Sequence, residues 1–192
     1  MTTGLFGGAF DPPHNGHVAL VDAAVAHFGL ARVVVLVSER PGHRSVVAPA
    51  EARLRLARAA FPELEVELDP YPRTIDLLRA RDFGDAVLLV GADQFRAFLA
   101  WKEPDAVLER VRLGVATRPG FPLDELEPVL SGLRDPGRVS FFEIERVPVS
   151  GTLVRARCAR GESLSGLVPA AVEQLVRELG VYREDRNRRQ SG

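Results

Sequence analysis

Three glycines and two histidines lie close together near the start of the chain, within the segment GGAFDPPHNGH at residues 7–17. Because Gly7 and Gly8 have no Cβ, backbone amides near them can approach phosphate oxygens closely. His14 and His17 are three residues apart, so both rings can point into one pocket at the start of a helix. That helix would present unpaired N–H groups and a partial positive charge. The segment predicts a polyphosphate site.

Other roles for these histidines are helix capping and metal binding. Two histidines provide too few ligands for a metal ion, and Asp11 is the only acidic residue at close spacing. Gly16, between the histidines, is predicted to leave room for a base or a ribose. The segment lacks the GxGxxG fingerprint of dinucleotide-binding folds. By itself it therefore indicates transfer of a nucleotidyl group, without a metal held by the protein.

A second segment suited to phosphate lies near the other end of the chain, where VSGTLVR covers residues 149–155. It follows an apolar run and opens an amphipathic one, which predicts amides at a helix N-terminus. Ser150 and Thr152 add hydroxyl groups there, and Gly151 adds an accessible amide. Arg155, one turn later, can grip phosphate with two N–H groups. Because ordinary helix caps share this pattern, a purely structural role remains open for the segment taken alone.

Short apolar runs alternate with amphipathic stretches along the chain, which predicts the α/β fold that positions both segments. The runs richest in valine and leucine are nearly continuous, as in strands covered on both faces. Helix N-caps are predicted at Thr74, Asp93 and Ser150, and Gly29 is predicted as a C-cap. We expect a Rossmann-like, doubly wound, mainly parallel sheet with helices on both faces. Its predicted strands are Leu5–Gly7, Arg32–Val37, Glu65–Leu68, Ala86–Val90, Arg112–Ala116 and Val139–Glu143.

Length, charge and cysteine content narrow the class of protein. The 192 residues fit one domain, predicted over residues 1–183, with a polar frayed tail over residues 184–192. A formal net charge of −1 argues against nucleic acid or a membrane surface as partner. The single cysteine, Cys158, excludes an intramolecular disulfide. The N-terminal residues do not resemble a signal peptide, and no apolar run approaches about 20 residues, so the cytoplasm is expected.

The segment at residues 7–17 resembles the HxGH signature of the adenylyltransferase and cytidylyltransferase superfamily, and in detail that of bacterial nicotinate-nucleotide adenylyltransferases. The segment at residues 149–155 is similar to the ISSTxIR motif of the same family. The resemblance implies that His14 and His17 steady the phosphates of ATP, with Arg155 holding the β- and γ-phosphates. The further residues that it implies for binding ATP are Gly7, Gly8, Ala9, Phe10, Gly16, Gly91, Asp93, Ser150, Gly151 and Thr152.

Shorter segments between these motifs extend the resemblance. Residues 73–78 resemble the family's YTxDTL segment, residues 91–93 its GxD, residues 101–102 its WK, and residues 118–120 its RPG. The resemblance implies that a threonine and a tryptophan hold the nicotinate ring, and an indole can stack on a flat pyridine. The loop at residues 39–44 reads ERPGHR where the family has a PPHK-like loop. The residues implied for binding the acceptor are Thr74, Trp101, Arg118, His43 and Arg44.

The resemblance implies an enzyme of NAD biosynthesis that transfers AMP from ATP to nicotinate mononucleotide. It also implies Mg²⁺ carried by the ATP phosphates and favours a homodimer. One alternative is a sister transferase acting on nicotinamide mononucleotide or phosphopantetheine. Another is a regulatory protein that binds nucleotide without turnover, since Ala9 and Gly151 stand where the family has hydroxyl side chains. The sequence leaves the choice between nicotinate and nicotinamide nucleotides open.

Overall fold

The computed structural model describes residues 1–42 and 46–183, and a parallel β-sheet forms its centre. All six predicted strands are found, and five of them extend one or two residues beyond a predicted end. Their extra residues are polar or glycine, which apolar runs do not reveal. The strands are β1 (Thr3–Gly8), β2 (Arg32–Ser38), β3 (Glu65–Asp69), β4 (Ala86–Gly91), β5 (Arg112–Thr117) and β6 (Val139–Glu143).

The strand order is β3-β2-β1-β4-β5-β6, and every neighbouring pair is parallel. From β1 the chain adds β2 and β3 outward on one side of the sheet. It then returns to the centre at β4 and adds β5 and β6 outward on the other side. The order therefore reverses between β1 and β4. In doubly wound sheets the crevice at the carboxyl ends of such strands is where ligands bind. The glycine- and histidine-containing segment follows β1, so the topology positions it at this crevice.

Helices cover both faces of the sheet, as predicted. One buried cluster joins the sheet to the first two and the last two helices, and the other joins it to the four helices between them. The helices are α1 (Asn15–Phe28), α2 (Ala50–Ala60), α3 (Thr74–Ala80), α4 (Ala92–Arg96), α5 (Pro104–Arg110), α6 (Glu127–Ser131), α7 (Gly151–Arg160) and α8 (Ala170–Leu179). The five valine and leucine residues inside β2 are all buried, since both of its faces are covered.

The predicted helix ends are partly correct. Gly29 ends α1 in the left-handed conformation (φ 59°), and Ser150 caps α7 by accepting a hydrogen bond from the Leu153 N–H at 3.2 Å. The N-caps predicted at Thr74 and Asp93 are wrong. Arg73 and Gly91 hold the extended backbone that precedes α3 and α4, so Thr74 and Asp93 lie inside the first turn of each helix.

None of the helices in the described part of the chain is both long enough and apolar enough to cross a membrane. The tail predicted over residues 184–192 lies outside the described residues.

Candidate active site

The two histidines of the first segment meet at the start of α1. His14 is the N-cap of the helix, and its backbone N–H donates to Nδ1 of His17 at 3.1 Å. The two rings are stacked, with 3.7 Å between their centroids and 21° between their planes. The two rings thus lie together at the helix start, as their spacing predicted. Because Nδ1 of His17 is an acceptor here, the neutral ring carries its hydrogen at Nε2.

Burial keeps His14 neutral. It lowers the pKa of His14 from 6.5 to about 4, because a charged imidazole would lose its hydration. Nδ1 of His14 is buried and has no hydrogen-bond partner in the described part of the chain. A hydrogen bond to its own backbone would raise the pKa, but this effect is smaller than that of burial. A polyphosphate beside the ring would have the opposite effect, since a negative charge favours imidazolium.

An aromatic cluster supports His17 from the side of the sheet. The Phe10 ring lies 5.2 Å from the His17 ring between centroids, and Phe6 and Phe61 pack edge-to-face against Phe10. Phe10 itself has a positive φ of 50°, a conformation that is costly for a bulky residue. The dense packing around its ring holds the chain in that turn and so directs the segment back toward α1.

The glycines of the first segment serve different purposes. A Cβ on Gly7 would meet no atom within 4 Å, so the backbone there is accessible from the crevice. A Cβ on Gly16 would lie 3.2 Å from Nδ1 of His14 and 3.3 Å from Cγ1 of Val149. The prediction that Gly16 leaves room for a base or ribose is therefore wrong, because the His14 ring and Val149 take up that space.

The second segment reaches the first through Arg155. Nη1 of Arg155 donates to the backbone carbonyl of Asp11 at 2.7 Å, and Nη2 donates to the Thr152 hydroxyl at 3.3 Å. Ser150, the N-cap, holds the start of the helix that carries them. A Cβ on Gly151 would lie 3.2 Å from Nη1 of Arg155 and 3.3 Å from the Asp11 carbonyl oxygen. The glycine thus leaves space for this contact, in addition to lacking a hydroxyl.

The buried carboxylate of Asp11 is a feature that sequence reasoning missed. Its oxygens accept hydrogen bonds from the backbone N–H groups of Val47 and Ala48 at 2.7 and 3.0 Å, and from the Tyr182 hydroxyl at 2.7 Å. Burial and the hydrogen bond to this carboxylate raise the pKa of Tyr182 above its ordinary value, so the phenol stays a donor. In the sequence, this aspartate stands between an apolar strand and two prolines. An aspartate that only faced water would contribute little to stability at such a position, and this was the signal for a buried role.

Arg53 is the second missed residue. It lies on α2, its side chain is almost fully buried, and all four of its hydrogen bonds go to backbone carbonyls. Burial lowers the pKa of Arg53, and the nearby charge of Asp11 opposes that change. A guanidinium remains protonated in proteins, so a cation stands behind the first segment. An arginine in an amphipathic helix is normally exposed, and no sequence pattern marked this one.

Two of the residues implied for the acceptor lie on segments that follow β3 and β4. Thr74 starts α3, and Trp101 follows a short 3₁₀ turn after α4, half-buried with its ring 5.1 Å from that of Phe98. Two ion pairs join α3 to the residues after Trp101. Nζ of Lys102 lies 2.7 Å from the Asp76 carboxylate, and Arg79 pairs with Glu103 at 2.6 Å. These contacts bring the Thr74 helix and the Trp101 segment together.

Two other predicted residues, Asp93 and Arg118, are less closely connected. Asp93 is exposed and pairs with Arg96 at 2.9 Å, and Arg118 is exposed in the loop after β5. No hydrogen bond or ion pair within the described residues links Arg118 to Thr74 or Trp101. His43 and Arg44 lie outside the described residues. In the residues that the structure covers, no group of three or more histidine, cysteine or acidic side chains could hold a metal ion.

Comparisons with known proteins agree with this geometry. A family model described as cytidylyltransferase-like matches residues 5–157. A Rubrobacter xylanophilus protein named "probable nicotinate-nucleotide adenylyltransferase" is 36% identical over 203 residues, covering 98% of this chain and 95% of the relative. A Thermus thermophilus protein of the same name is 38% identical over 196 residues, covering 95% and 100%. Both relatives match nearly the whole chain.

The same fold occurs among solved structures. Plasmodium falciparum nicotinic acid mononucleotide adenylyltransferase complexed with NaAD has a TM-score of 0.77 at 13% identity, covering 94% of this chain and 97% of that one. The doubly wound parallel sheet predicted from the sequence is confirmed by the strand order and by this likeness.

The lowered pKa of His14 makes stability depend on pH. Between about pH 6.5 and pH 4 an unfolded histidine takes up a proton that native His14 does not, so lowering the pH across this range favours unfolding. We expect His14 to contribute a loss of up to about 3 kcal/mol in the free energy of unfolding. Urea unfolding at several pH values gives the free energy of unfolding as a function of pH for the wild type and for His14→Gln. The difference between these two curves measures the contribution of His14.

The matched control for this prediction is His27→Gln, which removes an exposed histidine from the same helix. It should keep the wild-type dependence on pH. Parallel wild-type and His14→Gln curves across the range would contradict the assignment.

Proposed function

The chain belongs to the nicotinate-nucleotide adenylyltransferase family, and from this premise we propose that it transfers the AMP group of ATP to nicotinate mononucleotide. The products are deamido-NAD and pyrophosphate. The observation that carries the proposal is the contact of Arg155 with the Asp11 carbonyl, which unites the two phosphate-type segments at the crevice between β1 and β4. Neither segment alone distinguishes a nucleotide site from a helix cap.

In the proposed reaction an oxygen of the acceptor's 5′-phosphate attacks the α-phosphorus of ATP. A new P–O bond forms, the bond from the α-phosphorus to the bridging oxygen breaks, and pyrophosphate leaves with that electron pair. Such a transfer needs no nucleophile from the protein, so rate enhancement comes from positioning and from stabilising charge. Mg²⁺ enters with ATP and is held mainly by phosphate oxygens and water.

The histidines and Arg155 supply the groups for this stabilisation. Nε2 of His17 is a hydrogen-bond donor, and the stacking on His14 fixes the direction of its ring. The proposal assigns both rings to the phosphates of ATP and Arg155 to the β- and γ-phosphates. Ser150, Gly151 and the amides that follow Gly7 complete the phosphate contacts. Because burial keeps the His14 ring neutral, this ring can gain positive charge as negative charge accumulates nearby.

The acceptor is assigned to the carboxyl ends of β3 and β4. Thr74 and Trp101 hold the pyridine ring in this proposal, and the ion pairs between α3 and the Trp101 segment keep that pocket together. Arg73, directly before Thr74, lies beside Gly42, since a Cβ on Gly42 would stand 3.4 Å from its Nη1. His43, Arg44 and Arg118 are assigned to the acceptor and Asp93 to a ribose. The homodimer and the cytoplasmic location stay predictions.

Pyrophosphate release from ATP with different acceptors tests the function. We expect rapid release with nicotinate mononucleotide and at least tenfold lower kcat/KM with nicotinamide mononucleotide or phosphopantetheine. A preference for another acceptor would identify a sister transferase. ATP binding without turnover on any of the three would instead indicate a regulatory nucleotide-binding protein and overturn the proposal.

His17→Gln tests the phosphate role of the second histidine. Glutamine at the third position of a helix can still accept the N-cap N–H, so the start of α1 is preserved while the imidazole is lost. We expect kcat to fall by about 10² to 10³, with a smaller change in the KM for ATP. His27→Gln, on the exposed part of the same helix, is the matched control. Unchanged turnover in His17→Gln would remove His17 from the mechanism.

Trp101→Ala tests the ring-stacking role. Loss of the indole should raise the KM for nicotinate mononucleotide by about tenfold, since a stacked aromatic pair contributes about 1 kcal/mol beyond its buried area. The KM for ATP should stay nearly constant. Leu99→Ala, which shortens an exposed neighbouring side chain, serves as control. Equal increases in both Michaelis constants would show that Trp101 supports the fold rather than the acceptor.

A further inference from the structure

The carboxyl ends of β1 and β2 need hydrogen-bond donors that the sheet does not supply. Gly8 and Val37 are the last residues paired between these strands, and beyond them the chain turns away on both sides. Backbone carbonyls that are buried at such a point cost free energy unless a donor reaches them. Here Nη1 of Arg53 donates to the carbonyls of Ala9 and Ser38, both at 2.7 Å. One guanidinium thus joins the two strands where their own pairing stops.

The same side chain also holds the entry to α2. Nη2 of Arg53 donates to the Glu39 carbonyl at 3.2 Å, and Nε donates to the Ala48 carbonyl at 3.1 Å. Glu39 and Ala48 stand on either side of the acceptor loop, defined as residues 40–47. Four carbonyls from three separate parts of the chain therefore share one cation.

These contacts determine which way a neighbouring amide points. In a trans peptide the C=O of one residue and the N–H of the next point in opposite directions. The Ala9–Phe10 bond is trans, because the cis bond among the described residues is Asp11–Pro12. Since the Ala9 carbonyl is directed inward to Arg53, the Phe10 N–H is directed away from it. Phe10 belongs to the glycine-containing segment at the crevice, so its amide is available there as a donor.

The Asp11 carboxylate ties the other end of the acceptor loop to the same segment. It accepts from the N–H groups of Val47 and Ala48, while Arg53 holds Glu39 at the beginning of the loop. Both ends of the acceptor loop are therefore fastened to the residues that follow β1. Displacing Arg53 would remove its hydrogen bonds to the Glu39 and Ala9 carbonyls together. The start of the loop and the Ala9–Phe10 peptide would then both be free to move.

We propose that Arg53 is a positioning residue of the nucleotidyl transfer, holding the Phe10 N–H toward the phosphates of ATP and the backbone of Glu39 and Ala48 in place beside it. The inference rests on the proposed function. Arg53 is buried behind the segment, so it acts through Phe10 and the loop and not on the substrates themselves. A lysine cannot replace it, because one ammonium group cannot reach four carbonyls arranged around a planar guanidinium.

Arg53→Lys and Arg53→Met test this role, because one keeps the charge and the other keeps the approximate shape. Misplacement of reacting groups by about 1 Å costs on the order of 10² in rate. We therefore expect kcat per folded enzyme to fall by about 10- to 100-fold in both variants. The dissociation constant of a non-hydrolysable ATP analogue should rise by a smaller factor, since the aligned amide contributes most in the transition state.

Two control variants separate positioning from stability. Arg55→Lys changes an exposed arginine on the same helix and should leave kcat unchanged. Val172→Ala weakens the buried packing of α8, which contacts α2, and leaves all four hydrogen bonds of Arg53 in place. Assays are run at a temperature where every variant is folded. If Val172→Ala lowers stability as much as Arg53→Lys and lowers kcat equally, Arg53 is a structural residue and the inference is overturned.

A binding measurement tests the amide directly. The chain has 10 phenylalanines, so protein labelled with ¹⁵N-phenylalanine gives a simple amide spectrum, and Phe10→Leu identifies the Phe10 resonance. The ATP analogue should shift this resonance in the wild-type protein and in Arg55→Lys, and shift it much less in Arg53→Lys. An equal shift in Arg53→Lys overturns the inference. Because this readout needs no acceptor, it holds even if the enzyme assay contradicts the proposed function.

Discussion

The buried carboxylate of Asp11 is the constraint on which the rest of the site depends. A charge removed from water must be compensated, and this one is compensated by two amides at the end of the acceptor loop and one phenol close to the other end of the chain. Its own carbonyl receives Arg155, and the cation of Arg53 lies on the inner side of the same segment. Segments far apart in sequence therefore converge on one short stretch of backbone.

The electrostatic arrangement of the site prepares it for an anion. The net charge of the chain is close to zero, so attraction of a polyphosphate depends on local groups. His14 is kept neutral by burial, and the fixed cations nearby belong to arginines. Such an arrangement avoids an unpaired charge at the buried histidine before substrate binds. It also leaves capacity for charge to develop at the imidazoles once the phosphates are present.

Much of the architecture was predictable because apolar runs mark buried parallel strands directly. Every strand was located, with errors confined to polar or glycine residues such as Ser38 and Gly91. The two phosphate-type segments were also found, since glycines, histidines and helix starts occur together in local sequence. Asp11 and Arg53 were missed for a common reason: most of their partners are backbone amides and carbonyls, which nearly every residue possesses and no pattern identifies. The role of Gly16 was predicted wrongly for a similar reason, because Val149, which packs beside it, comes from a distant part of the chain.

The hydrogen bond from Tyr182 to Asp11 spans 171 positions in the sequence. A nascent chain cannot form it until residue 182 has left the ribosome, long after the segment around Asp11 has been made. Until then the carboxylate lacks one of its three donors, and the backbone that the histidines extend from is held less firmly. The site would then be completed only after every strand of the sheet beneath it has been synthesised.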